Sequence, residues 1–339
     1  MGEVISLQDN LARPATGRMW LVLFVAGQVV LWTAVVLWDP PELEGPLKVA
    51  VGLWPGSETL TIARERGLLT DDNVRIVEMT WSSAAMRAFG NRVVDAAVLS
   101  LDEVLRLRQN GQDVRVVMVM DISAGADSLM ALGAISETAM LKGKRVGVEL
   151  RTAGMYLLER ALERAGLSVN DVEIIPLNLA ETEAALLDGE VDAIVTSQPW
   201  QSRLLEAGAT NLFNSSMVPG EVCRVLAIRG DVLKSRRKEL QKMVDAHFKV
   251  LEDMALNLGA DEKKIIMRRE GMNWEAFGKA GRLIICPSRT EGLRMMQGSP
   301  SALDEVAERV VDFMVKSQLL PSVPDRANWI ETSFLERQP

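Results

Sequence analysis

The chain has one histidine and two cysteines in 339 residues, and it carries no excess of basic charge. Each shortage closes a class of function. His247 lies in KELQKMVDAHFKVLEDMA, an amphipathic helical pattern remote from any strand end, and reads as a packing or surface residue rather than a general base. Cys223 and Cys286 are far apart and neither has metal-ligand spacing around it, so no zinc site and no disulfide framework is indicated. Whether the two pair with each other is left open at this level. A formal net charge of -8 argues against a nucleic-acid footprint, which needs a basic face. No serine sits in a nucleophile elbow. No glycine-rich stretch opens a helix to cradle nucleotide phosphates, since the glycine in GKRVGVE falls inside a strand. No cofactor is implied.

What is present is an ordinary globular composition, 48% hydrophobic and 25% charged, with enough length for two domains of roughly 150 residues each. It is preceded by one long apolar run. MWLVLFVAGQVVLWTAVVLW, residues 19–38, approaches the roughly 20 residues that a helix needs to cross a bilayer. Trp20, Trp32 and Trp38 lie toward its ends, where amphipathic rings favour the headgroup region. Arg13 and Arg18 precede it, while Asp39, Glu42 and Glu44 follow, which predicts a cytoplasmic tail over residues 1–18 and export of what comes after. A cleaved signal is the rival reading, but Val36-Leu37-Trp38 fits a small-x-small cleavage site poorly, so an uncleaved anchor is favoured. The expected location is a bacterial inner membrane, with the main domain in the periplasm or outside the cell.

From Pro46 onward, short β-rich runs alternate with helical patterns, the signature of βαβ units around a parallel sheet. PLKVAVGLW, VRIVEMT and VVDAAVL predict three strands, and VRVVMVMD is a near-continuous apolar run typical of a strand buried on both faces. Ser100 with Glu103 three residues on is a capping box. A second series runs through KRVGVEL, VEIIPLN and VDAIVT. MRAFGNRVVDAAVLS and AALLDGEVDAIVTS echo each other, ending at Ser100 and Ser197, either by chance or because two halves share one architecture across a cleft. After a further strand in EVCRVLAIRGDVL, helical patterns return to cover the first half. The chain would cross between the halves near residues 121–126 and 211–221, a two-stranded hinge.

In open α/β sheets, ligands sit beyond the carboxyl ends of the strands, and a helix N-terminus there offers unpaired amides and partial positive charge. Collecting those ends nominates Trp54, Ser57, Glu58, Ser82, Ser83, Ser100, Asp102, Ser123, Arg151, Thr152, Ser197, Gln198 and Trp200, with Glu221 from the crossing strand. Thr80 and Trp81 lie at the same kind of junction. No member of that set is diagnostic alone, because a serine before a helix is usually an N-cap.

VGLWPGSETLTIARERGLL, AFGNRVVDAAVLSLDEVL, GQDVRVVMVMDISAGADSLMA, LKGKRVGVELRTAGMYLLERALERAGL, GEVDAIVTSQPW and LFNSSMVPGEV occur in that order over most of residues 47 to 230. This ensemble resembles the substrate-binding proteins of ABC transporters, in the branch of nitrate, sulfonate, taurine and thiamine-precursor binders. The resemblance implies an α/β, two-lobed, type II periplasmic binding protein fold following the N-terminal transmembrane helix. Lobe 1 would be discontinuous, residues 46–122 and 222–335, and lobe 2 would be residues 123–221. It implies no enzyme but a receptor, with a small-molecule ligand and an ABC permease or another inner-membrane protein as partners. Three departures matter: relatives carry an aromatic residue at the place of Ser57, often a glutamate at Gln198, and an acidic residue near Cys223 and Arg224. Those changes tilt the expected ligand away from cations, toward a small anionic or zwitterionic organic molecule. A sensor or accessory interaction protein on the same scaffold is the second reading. An enzyme that consumes its own histidine is the third, and His247 is in the wrong place for it.

Overall fold

The computed structural model describes residues 45–79, 82–256 and 258–336. The anchor expected over residues 19–38 lies outside them, as do Thr80 and Trp81. Among the described residues, no helix is long and apolar enough to cross a membrane.

Two α/β sheets carry the fold. The first has the order β11 (Ile284–Ile285), β4 (Val114–Ser123), β10 (Cys223–Arg229), β3 (Ala96–Ser100), β1 (Leu47–Gly52), β2 (Val74–Met79), and the second β7 (Glu173–Pro176), β6 (Arg145–Val148), β8 (Ala193–Ser197), β5 (Asp127–Ala131), β9 (Thr210–Asn214). In the first, β1 (Leu47–Gly52), β2 (Val74–Met79) and β3 (Ala96–Ser100) are parallel, and they alternate with α1 (Glu58–Glu65), α2 (Ser82–Gly90) and α3 (Leu101–Gln109). In the second, β6 (Arg145–Val148), β7 (Glu173–Pro176) and β8 (Ala193–Ser197) are parallel, with α4 (Ala153–Arg164), α5 (Thr182–Leu187) and α6 (Trp200–Glu206) between and after them. The long apolar run is β4 (Val114–Ser123), with Val116 through Met120 fully buried.

Neither sheet is purely parallel: the two-residue edge strand of the first, Ile284–Ile285, runs antiparallel to its neighbour, and in each sheet one further strand is reversed for a shared cause. The chain leaves the first sheet at the end of β4 and enters the second as β5 (Asp127–Ala131); it leaves at the end of β9 (Thr210–Asn214) and returns as β10 (Cys223–Arg229). A strand that arrives from the facing sheet starts at the gap and runs away from it. So β5 is antiparallel to β8 and β9, and β10 is antiparallel to β3 and β4. Their amino ends therefore sit level with the carboxyl ends of their neighbours: Arg224 pairs with Ser100, and Asp127 with Ser197. The two crossings are tied together, with Ser123 and Ser215 hydroxyls 2.7 Å apart and Ser123 N–H donating to the Val222 carbonyl at 2.9 Å.

The echoed segments do the same work in both sheets. Asp95 accepts from Lys48 N–H at 3.0 Å at the start of β1, and Asp192 from Arg145 N–H at 2.8 Å at the start of β6. Each aspartate aligns the incoming edge of a central strand, so the Val-Asp-Ala pattern reflects shared architecture.

The returning helices cover the first sheet. α7 (Arg237–Leu256) lies on α1, where the His247 ring nitrogen Nδ1 and Thr59 Oγ1 are 2.8 Å apart. Burial and nearby Arg289 hold the His247 pKa down to about 4, so the ring is neutral and structural. α8 (Ala260–Glu270), α9 (Trp274–Gly281), α10 (Arg289–Met296) and α11 (Ala302–Lys316) complete the cover, and β11 (Ile284–Ile285) pairs with β4.

The strand order settles the cysteines. Cys223 pairs with Ile122 on one side of β4, and Ile285, next to Cys286, pairs with Ile122 on the other. Two interstrand steps separate them, about 9–10 Å, beyond the ~7 Å reach of a disulfide. Both thiols are free. A denatured sample is expected to titrate two thiols per chain, and a reductant is expected to leave the native unfolding midpoint unchanged. A chain that titrates none, and that weakens on reduction, would contradict this strand register.

Candidate functional site

The carboxyl ends of both sets of parallel strands, together with the amino ends of β5 and β10, meet at the gap between the sheets. Two adjoining cavities of about 50 Å³ each lie there, sharing Ser82, Ser100, Leu179, Ser197 and Arg224 in their walls. Trp54 and Ser57 complete one, and Asp127, Glu149 and Thr152 the other. At the ~10–15 Å³ of such volume that one water requires, each has room for a few solvent molecules or a group of a few heavy atoms. The amino ends of α1, α2, α3 and α4 all open onto this space, at Ser57, Ser82, Ser100 and Thr152.

Six of the residues nominated from sequence therefore share the cleft: Trp54, Ser57, Ser82, Ser100, Thr152 and Ser197. Thr152 is a working N-cap, accepting from Gly154 N–H at 3.2 Å. Ser100 N–H donates to Glu103 at 2.9 Å, the carboxylate half of the expected box, while its hydroxyl donates to Asp102 at 2.6 Å. Burial and neighbouring Asp102 push the Glu103 pKa up to about 8.

The other nominees serve the frame. Ser83 is buried beside the cavity, and its N–H donates to Glu149. Asp102 lies beneath Ser100 and pairs with Arg106 at 3.6 Å. Ser123 belongs to the crossing. Arg151 adopts φ 63°, an uncommon left-handed conformation for a side chain of that size, and is exposed, while flanking Glu149 and Thr152 face the cavity. Gln198 borders a separate cavity of about 330 Å³ between α6 and α9, bonding Gln201 and Ser202. Trp200 is buried in α6 near Arg203. Glu221 accepts from Tyr156 at 2.6 Å and Arg160 at 3.0 Å. Glu58 points to α8, where Arg269 holds it at 3.2 Å beside Glu270. Burial and the Glu58 carboxylate push the Glu270 pKa up to about 9.

Strand-end counting missed the charged members: Asp127, Glu149 and Arg224. Arg224 bonds Asp127 at 2.9 Å, lies 3.6 Å from Asp121, and stacks over Trp54 with 3.5 Å to the ring centre. Trp54 Nε1–H donates to Asp121 at 3.0 Å. Burial pushes the Asp121 pKa up to about 6. This contact also accounts for the Trp-Pro-Gly turn, because a Cβ at Gly56 would lie 2.5 Å from Asp121 Oδ2 and 2.6 Å from Trp54 Nε1. From the second sheet, Glu149 reaches over to accept Ser83 N–H at 3.0 Å, at the amino end of α2, and burial raises its pKa. The signal that could have found Asp127 and Arg224 is the crossing itself, since a strand entering from the far sheet presents its first residues to the gap.

Comparison with known proteins places this architecture. Residues 40–255 match the sequence profile of the NMT1-like family. A Brucella abortus protein, named only as a candidate binding protein, is 28% identical over 142 residues, 41% of this chain and 43% of the relative. The match thus spans less than half the length of the curated relatives. The alkanesulfonate-binding protein SsuA of Xanthomonas axonopodis pv. citri, solved bound to MOPS, superposes with a TM-score of 0.73 at 18% identity, covering 86% of this chain and all of that one. The periplasmic aliphatic sulphonate binding protein SsuA of Escherichia coli gives 0.67 at 18% identity, over 85% of this chain and 98% of that one. At such identities the likeness establishes a shared fold.

Two measurements follow from the site and its frame. Gly56→Ala forces a methyl against the Trp54–Asp121 bond and is expected to cost about 1–3 kcal/mol in denaturant unfolding; a loss within experimental error would mean that the turn has slack. Glu270 keeps its proton in the folded chain up to about 9, whereas the unfolded chain releases it near 4.5. Its contribution is therefore full at acid pH and declines as pH rises between those values. Glu270→Gln should flatten that decline relative to the native chain. Parallel stability curves for the two proteins would show that the buried proton is not held there.

Proposed function

This chain belongs to the NMT1-like family, and from that membership and its cleft we propose that it is an extracytoplasmic solute-binding protein of an ABC-type importer, tethered to the membrane through residues 19–38. Its ligand is a small polar organic molecule, anionic or zwitterionic, held between two lobes that close about the crossings at 123–127 and 214–223. The observation carrying this reading is convergence: hydroxyls and helix amino ends from both sheets, at Ser57, Ser82, Ser100, Thr152 and Ser197, border the same two adjoining cavities as Arg224. Backbone dipoles and a guanidinium favour an acid group. Asp127 and Glu149 favour a ligand that also carries a positive end. Each half supplies part of the wall, so a bound molecule stabilises closure by its greater affinity for the closed form. Recognition needs no reacting group.

One observation favours the second reading, a sensor or accessory protein without cargo. The cavities are small, and their charged residues already make bonds across the gap, Glu149 with Ser83 N–H and Arg224 with Asp127. Thermal unfolding with a panel of alkanesulfonates, nitrate, amino acids and pyrimidines separates the two. A cargo receptor is expected to gain several degrees with at least one of them, since a ligand at a hundred times its Kd adds about 2.7 kcal/mol. No gain with any anion or zwitterion, with a clear response to a cation, overturns the proposed ligand class; silence throughout leaves the sensor reading standing.

A further inference from the structure

Arg224 sits in the cleft as a bound molecule would. Its guanidinium lies flat over Trp54 at 3.5 Å to the ring centre, with Asp127 bonded along one edge at 2.9 Å and Asp121 at 3.6 Å. Most of the wall is placed without the arginine. Trp54 is fixed by its own bond to Asp121, and Gly56 packs against both; the Asp127 backbone is fixed by its N–H bond to Ser123 Oγ at 3.1 Å, and its carboxylate is the one part of the wall that Arg224 itself holds. Asp121 is fully buried, and its Oδ1, which faces Arg224, lacks a hydrogen-bond partner. An aromatic face with two buried carboxylates is the chemistry that recognises a planar organic cation.

We propose that Trp54, Asp121 and Asp127 form a cation-binding box which the chain fills with its own Arg224, making Arg224 the residue that excludes small guanidinium- and amidinium-like solutes. Its role in solute choice rests on the cleft being the ligand site; the box itself does not. A tethered guanidinium outcompetes a free one because its effective concentration within the box is high. A cation entering beside it would meet a like charge where the box would otherwise hold it, which is selection by repulsion. The remaining walls, hydroxyls and helix amino ends, then serve an anion.

The test uses methylguanidinium chloride at millimolar concentration, read by thermal unfolding against the same concentration of sodium chloride. Arg224→Ala empties the box, and methylguanidinium is expected to raise the variant's midpoint by several degrees, saturably, while leaving the native chain unchanged. Adding Asp127→Asn to Arg224→Ala should abolish most of that gain. Should Arg224→Ala fail to fold alone, recovery of its circular dichroism by methylguanidinium supports the box, and failure to recover overturns it. A native chain that responds as strongly as the variant overturns it too, as does a response insensitive to Asp127→Asn. Binding or non-binding of sulfonates by the native chain bears only on the solute-receptor reading, so the two can fail separately.

Discussion

The pair Arg224–Asp127 joins the two sheets at the middle of the gap, and the geometry around it depends on that bridge. Asp127 is the first residue and Arg224 the second of strands that have just arrived from the opposite sheet. Each lies level with the serine that ends the neighbouring parallel strand, Ser100 for Arg224 and Ser197 for Asp127. The ion pair thus stands at the meeting point of two similar halves. It is only 14% and 8% exposed, so water screens it weakly, and removing one partner would leave a buried charge unpaired. Trp54 and Asp121 extend the bridge into the first sheet, and Gly56 is small because the bond between them leaves no room for a methyl.

Much of this was legible in sequence because it depends on local pattern. The βαβ alternation, the capping residue Ser100 and the double-faced burial of β4 are properties of short windows. The echo around Val-Asp-Ala was legible as well, and the matching bonds from Asp95 and Asp192 give it a physical meaning. β5 and β9 escaped notice because DSLMA and TNLFN are short and show no alternation. α9 and α10 have eight residues each, with Gly278, Gly281 and Gly292 lowering their helical propensity.

The site was half legible for a similar reason. Counting carboxyl ends of strands finds Trp54, Ser82 and Ser197, because those ends are visible as an apolar run followed by a polar residue. It cannot tell which side of a helix start faces the gap. Glu58, one residue beyond Ser57, turns instead to Arg269. Glu221 and Trp200 stand at junctions of the same kind and belong to other contacts. The charged residues were hidden by direction, because Asp127 and Arg224 begin strands rather than end them. Arg224 was visible as a departure from the family pattern, and only the fold puts it over Trp54.

The way the cleft is filled bears on how it would work. Glu149 occupies an amide at the amino end of α2, and Arg224 is held by Asp127, so the chain's own groups make two bonds across the gap. A ligand can drive closure only by the difference between its affinities for the closed and open forms. Here the two halves already bond each other across the gap, so a ligand gains most where it adds to those bonds rather than breaks them. A molecule with an acid group adds a partner for Arg224 and the helix amino ends, and one with an ammonium group meets Asp127 and Glu149 but also the like charge of Arg224. A molecule with both answers each of these groups at once and displaces neither Arg224 nor Glu149. On the proposed reading, that balance gives the zwitterion an advantage over the simple anion, and the simple cation has the least to gain.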